Sequence, residues 1–219
     1  MKKTIIYFFA AGLLFASCKK ETKDVSQIVK VGHPTITLIG QEVISTPVGS
    51  GTFSDPGAVA WDDIKGDSVP LSAPVSNNVD LTTPGFYSVT WEFTNSNGVL
   101  SYTTQKSRLI LVTPVDPADD ISGVYTRTNG VEVNVVKHGT GLYTTDNVGG
   151  VAGNDAYIFD VYFGVTGPTT IEVPDQPNPL GGLVHCENAT LTMDATDTTI
   201  KWVVIGSGFG TALRTFHRN

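Results

Sequence analysis

The sequence predicts an all-β protein made of two small domains behind a secretory leader. Three observations carry this. Val and Thr number 26 and 28 of the 219 residues, against 13 Leu, and β-branched side chains suit a pleated surface better than a helix. Short segments alternate apolar and polar residues between turns supplied by 23 Gly and 12 Pro, the period-two pattern of half-buried strands. No segment requires a helix of ordinary length. With 40% hydrophobic and 16% charged residues and a mean hydropathy near zero, the composition is that of a globular chain rather than a disordered one. The length allows two domains, each with its own core.

The leader comes first. Lys2 and Lys3 precede an apolar run from Ile5 to Ala16 that ends at Ser17-Cys18. This is the layout of a signal peptide, and the run is too short to span a bilayer as a mature helix. Leu14-Phe15-Ala16-Ser17-Cys18 resembles a bacterial lipobox, which implies cleavage before Cys18 and lipidation of that cysteine. Lipid chains on Cys18 would tether the mature protein to a membrane without spanning it. Residues 18–32 then read as a flexible leash. Its Lys19-Lys20-Glu21-Thr22-Lys23-Asp24 loosely resembles the surface-export signals of Bacteroidota lipoproteins, although the usual acidic pair is missing. Removal of residues 1–17 leaves 12 basic against 21 acidic residues, a net charge of −9, which argues against nucleic acid as a partner.

Residues 33–113 read as the first domain. Strands are expected at Thr35–Leu38 and near Val69–Leu71. The cleanest is Tyr87–Phe93, where Tyr87, Val89, Trp91 and Phe93 alternate with Ser88, Thr90 and Glu92. Asn97-Gly98 signals a hairpin into Leu100–Thr103 and then the apolar Arg108–Val112. Pro34–Gly40, Phe53-Ser54-Asp55-Pro56-Gly57-Ala58-Val59-Ala60-Trp61-Asp62, Pro84–Thr90, and Asn97-Gly98 with Arg108 together resemble the bacterial immunoglobulin-like domains of surface and secreted proteins. The resemblance implies a β-sandwich in which Ala58 and Ala60 face inward and Val59 and Trp61 outward. It implies a turn, not an acid-base site, at Asp55-Pro56-Gly57. It is silent on function, because such domains serve as spacers, adhesins and glycan binders alike.

Residues 114–120, Pro114-Val115-Asp116-Pro117-Ala118-Asp119-Asp120, read as a short, stiff linker. Residues 121–219 form the second domain, with strands expected at Gly123–Arg127, Val131–Lys137, Thr190–Met193, Ile200–Ile205 and Ala212–Phe216. Tyr157–Phe163 is nearly continuous in apolar character and is expected as a central strand. Pro174–Gly182 is expected as a long loop that either shapes a binding edge or simply connects, and Gly206–Gly210 as a flexible hairpin. Lys137-His138-Gly139-Thr140-Gly141-Leu142-Tyr143, with the opening Gly-x-Tyr strand, resembles the C-terminal domains of Bacteroidota lipoproteins encoded beside polysaccharide-uptake systems. That implies an antiparallel β-barrel or curved sheet. The expected fold is therefore an immunoglobulin-like β-sandwich followed by an antiparallel β-barrel-like domain.

The search for chemistry finds no catalytic grouping. His33, His138, His185 and His217 are isolated from one another, without metal-ligand spacing. No Gly-x-Ser-x-Gly elbow occurs. Cys186, the one cysteine left once Cys18 is lipidated, reads as a small hydrophobe. The carboxylates Asp62-Asp63, Asp119-Asp120 and Glu187 lie in turns or the linker and are not expected to hydrolyse glycosides. Asp62, Asp63 and Asp67 around Gly66 offer oxygen ligands for calcium, but the spacing departs from an EF-hand, and a solvated acidic turn is the preferred reading. No catalytic residue, metal or cofactor is expected.

Binding is the better prospect, since sugar rings are recognised by flat aromatic faces aided by polar groups. Trp91 alternates into the core. Trp202 shares alternation with Ile200 and Val204, which points to core, and it is retained with Trp61 as a candidate ligand contact. Trp61 is expected to be partly exposed. The leader, the immunoglobulin-like domain and the terminal domain together resemble a Bacteroidota surface lipoprotein of a polysaccharide-utilisation system. The resemblance implies a non-catalytic protein lipid-anchored at the outer membrane and exposed on the cell surface. Its implied partners are polysaccharide or oligosaccharide, other outer-membrane uptake proteins, and the membrane through the anchor. A structural or adhesive lipoprotein with protein partners and no glycan site is the competing reading.

Overall fold

A computed structural model describes residues 30–206 and 208–219. The leader, Cys18 and most of the leash lie outside the described residues. Those described form a β-sandwich followed by a closed barrel.

The sandwich holds seven strands: β1 (Thr35–Leu38), β2 (Val43–Pro47), β3 (Ala58–Asp62), β4 (Asp67–Leu71), β5 (Ser76–Asn77), β6 (Gly85–Ser96) and β7 (Ser101–Thr113). One sheet has the order β1-β3-β4 and the other β2-β7-β6-β5, with β2 parallel to β7. Alternation sorts the faces as expected. Ala58 and Ala60 are buried between the sheets beside Val89, Trp91 and Ile110, while Trp61 faces solvent. Arg108 is fully buried. Its Nε donates to Asp55 Oδ2 at 2.9 Å, and its Nη atoms reach the carbonyls of Gln41, Ile39 and Gly57. Asp55 Oδ1 in turn accepts the Gly57 N–H at 2.7 Å. One buried ion pair thus ties the Asp55-Pro56-Gly57 turn to β7, with the polar atoms of both partners satisfied as such a pair requires.

The second domain is an eight-stranded meander that closes on itself. Its strands are β8 (Gly123–Arg127), β9 (Glu132–Gly139), β10 (Leu142–Thr145), β11 (Val161–Val165), β12 (Ile171–Pro177), β13 (Leu183–Met193), β14 (Thr198–Ile205) and β15 (Leu213–Arg218). Each is antiparallel to the next, and β15 pairs with β8, so no sheet edge is left. Tyr143, Phe163, Trp202 and Phe216 run through the lumen as a column, with successive ring centroids 5.6, 5.6 and 5.4 Å apart.

Three local expectations need correction. The apolar run Tyr157–Phe163 is not one strand: Asp155–Tyr157 is a single 3-10 turn, and β11 begins only at Val161. The run is apolar because Tyr157 and Phe159 pack edge-on against Phe209, closing one end of the barrel. Phe209 itself is buried, so the β14–β15 connection is a plug rather than a plain surface hairpin. The loop expected at Pro174–Gly182 is shorter: residues 174–177 belong to β12 and only 178–182 turn, with Pro174 accommodated in a register shift between Val173 and Gln176.

The two domains are docked directly. Leu111 points out of the sandwich and is fully buried with Val43 and Leu142, beside Phe86, Leu109 and Tyr162. Thr113 Oγ1 donates to the Val165 carbonyl at 2.6 Å. Glycines permit the close approach: a Cβ on Gly164 would lie 2.5 Å from Leu111 Cδ1 and 2.9 Å from Phe86 Cε2, and one on Gly139 would lie 2.6 Å from Ser45 Oγ. The continuous apolar run at the end of β7 follows from this. One of its faces fills the sandwich core and the other meets the barrel.

Gly164→Ala should therefore destabilise the protein by about 1–3 kcal/mol through overpacking. Combined with Leu111→Ala it should cost less than the sum of the two single changes, as expected for side chains in contact. Chemical denaturation of the four proteins of this cycle measures the coupling, and strict additivity would contradict the docked interface.

Candidate functional site

Trp61 stands on β3, the middle strand of its sheet, and faces outward. In the β1-β3-β4 sheet it lies between Thr35 on β1 and Ser68 on β4, and two residues along the same face Val59 lies between Thr37 and Pro70. The inward neighbours Ala60 and Asp62 are both 0% exposed, whereas Trp61 is 46% exposed. An indole flanked by hydroxyls on the outer face of a sheet offers the two elements of sugar recognition, an apolar plane and hydrogen-bonding groups beside it.

The end of β3 is fixed by carboxylates. Asp62 Oδ1 accepts N–H bonds from Ile64 (3.0 Å) and Lys65 (3.1 Å) and from Asn95 Nδ2 (3.1 Å), closing the β3–β4 turn. Asp63 Oδ2 accepts the His33 N–H at 2.7 Å, and its Oδ1 accepts from Asn95 Nδ2 at 2.8 Å. Lys30 Nζ donates to the carbonyls of Asp63 and Ile64, while the Lys30 carbonyl accepts from Asn97 Nδ2. Residues 30–33 are thus strapped to this end of the sandwich. Asp62 is buried, not solvated as expected, and both carboxylates are occupied as turn and strap acceptors. No group of three or more His, Cys, Asp or Glu that could hold a metal occurs among the described residues.

Trp202, the other candidate, has no face to offer a ligand. It is 1% exposed in the barrel column, and its Nε1 donates to the Val148 carbonyl at 2.8 Å. Burial pushes the Cys186 thiol up far beyond the ordinary range, which suppresses the thiolate. Of the histidines, His138 contacts Thr144 Oγ1, His185 pairs with Asp175, and His217 pairs with Asp197.

A second feature was not visible in the sequence. Between the domains lies a cleft of about 460 Å³, lined from the sandwich by Glu42, Gln105 and Lys106 and from the barrel by Asp160, Tyr162 and Asp175. Lys106 Nζ is 2.7 Å from Glu42 Oε1. Beneath Tyr162, the Gln176 side chain takes the place of a missing ladder partner: its Oε1 accepts the Tyr162 N–H at 2.8 Å and its Nε2 donates to the Tyr162 carbonyl at 2.7 Å. Burial, then the charges of Asp160 and Glu42, push the Tyr162 hydroxyl above its ordinary range. The cleft escaped the sequence reading because its walls are more than fifty residues apart. Gln176, inside a proline-rich stretch, carried no signal of its own.

Residues 36–112 match the family model described as "Bacterial surface protein, Ig-like domain". No curated protein matches the chain. Among solved structures, the lipoprotein BT2262 from Bacteroides thetaiotaomicron aligns at 22% identity over 85% of this chain and 100% of its own. Its TM-score of 0.38 is too low to relate the two folds. The family match bears out the immunoglobulin-like reading of the first domain.

Asp62 and Asp63 are both held below the ordinary carboxylate range. For Asp62, burial acts upward and is outweighed by the N–H of Lys65, the Asn95 amide, the N–H of Ile64 and the Lys65 charge. For Asp63 the His33 N–H is the leading cause. A lowered carboxylate stabilises the fold above the unfolded value, about 3.9 for Asp, and that contribution is lost as pH falls through the folded value. The contribution of Asp62 and Asp63 to thermal stability should therefore be constant above about pH 5 and decline below about pH 4. Asp63→Asn should lower the plateau and flatten the decline, whereas an acid limb identical to wild type would remove Asp63 from the account.

Proposed function

We propose that this chain is a non-catalytic, lipid-anchored protein of the bacterial cell surface that captures polysaccharide or oligosaccharide, with its immunoglobulin-like domain as a rigid strut. The observation that carries the reading is the exposed Trp61, set between Thr35 and Ser68 on the outer face of the β1-β3-β4 sheet. Its inward neighbours are small or capped, so the indole is not needed for the core. A large aromatic held outward on a rigid sheet loses little conformational freedom when a ligand stacks on it.

The strut follows from where the chain enters and leaves the sandwich. Lys30 is tied to Asn97, at the tip of the β6–β7 ribbon, while the chain passes to the barrel after Thr113 at the other end. Thirteen residues of β7 at about 3.3–3.4 Å each span roughly 40 Å. A lipid on Cys18 would then hold the Trp61 end nearer the membrane and raise the barrel above it. The engagement of His138, His185 and His217 by neighbouring side chains and the suppressed Cys186 thiol favour a binding role over catalysis.

The test is retention of the soluble chain, without its first 18 residues, on native gels containing neutral, acidic and amino-sugar polysaccharides. Retardation by at least one polysaccharide, weakened about tenfold or more in apparent affinity by Trp61→Ala, is the expected result. Retardation by none would overturn glycan capture and leave the structural or adhesive reading with protein partners.

A further inference from the structure

We propose that the interdomain cleft is a second binding site, for uncharged sugar units, that exists only while the two domains are docked. The proposal rests on the glycan-capture reading and adds to it a place and a ligand class.

The cleft has the makings of a ligand site. Its volume of about 460 Å³ lies within the roughly 300–1,000 Å³ usual for small-ligand clefts. One wall carries an aromatic side chain, Tyr162, which is half-buried and packs beside the interdomain cluster of Val43, Leu111 and Leu142. Around it stand acceptors and donors suited to hydroxyl groups: the carboxylates of Asp160 and Asp175, the Gln105 amide, and Lys106. Carboxylates accept two hydroxyl protons readily, and an amide both donates and accepts.

Charge selects the ligand. Glu42, Asp160 and Asp175 line the cleft against one cation, Lys106, which is already paired with Glu42 at 2.7 Å. A uronate or sulfate group would bring a like charge next to carboxylates with no free cation to receive it, whereas a neutral hydroxyl-rich ring meets acceptors with no such penalty. A bound metal is not the simpler occupant, because no metal-holding group of side chains occurs among the described residues.

The site is organised before a ligand arrives. The Gln176 amide grips both backbone polar groups of Tyr162, so the ring is held by β12 as well as β11. Asp175, which lies within the register shift in β12, has its Oδ1 2.8 Å from His185 Nδ1. The sandwich half of the cleft is brought up by the same contact that seats Leu111 against Gly164. Separation of the domains would therefore dismantle the site without unfolding either half.

Amide chemical-shift mapping of the chain without its first 18 residues tests this, using neutral gluco-, manno- and galacto-oligosaccharides and an oligouronate as probes. A neutral oligosaccharide should shift the amides of Gln105, Tyr162 and Gln176. Tyr162→Ala should weaken that binding about tenfold or more, Asp175→Asn several-fold, and Tyr162→Phe by less than about threefold, since the ring remains. Trp61→Ala should leave these shifts in place. Shifts confined to the Trp61 face and abolished by Trp61→Ala would overturn the cleft proposal while sustaining glycan capture. Preference of the cleft for the oligouronate would overturn the ligand class. No shifts with any probe would overturn both readings.

Discussion

Leu111 of the sandwich is seated on Gly164 of the barrel, and the arrangement of the two domains depends on how closely those two residues meet. Gly164 and Gly139 lack the Cβ atoms that would hold the domains apart, and Thr113 then reaches the Val165 carbonyl to lock the junction. An apolar surface that would otherwise face water on both domains becomes a shared core around Val43, Leu111 and Leu142. The sandwich is then packed on the barrel rather than held by the linker alone. The proline-punctuated segment after Thr113 is stiff, but rigidity comes from the contact rather than from the linker.

Tyr143, Phe163, Trp202 and Phe216 stack through the lumen and Phe209 is buried against it, while a mainly apolar pocket of about 420 Å³ lies against the linker, lined by Ile121, Tyr143, Val165, Leu191 and Met193. The two surfaces proposed for binding are the outer face of the sandwich around Trp61 and the groove where the sandwich meets the barrel. Both present an aromatic ring beside polar groups, and both are held by backbone geometry rather than by loops. That rigidity suits capture of a polymer, because little ordering entropy is spent on the protein side when a ligand is bound.

Much of the sandwich was legible from local pattern. The alternation Ala58-Val59-Ala60-Trp61 placed two small residues inside and the Trp outside, and that assignment holds. The resemblance to immunoglobulin-like domains rested partly on Asp55-Pro56-Gly57 and Arg108, and the structure shows why they belong together, since they form one buried ion pair. What failed to show in the sequence was long-range. The apolar end of β7 signalled burial on two faces, but nothing local said that the second face was another domain. Tyr157 to Phe159 read as strand because a capping segment and a buried strand are equally apolar. Asp62 read as solvated because a carboxylate serving as a turn acceptor looks the same in sequence as one facing water. The cleft joins residues from β2 and β7 to others from β11 and β12, a pairing that only the docked interface brings about.

The docked interface is the central claim, and ¹⁵N spin relaxation of the chain without its first 18 residues tests it most directly. Two domains packed through the Leu111–Gly164 contact tumble as one body, so amides of the sandwich and of the barrel should share a single rotational diffusion tensor. Two tensors, with each domain reorienting faster than the whole, would mean that the domains are only tethered, and the strut and the cleft would both have to be abandoned.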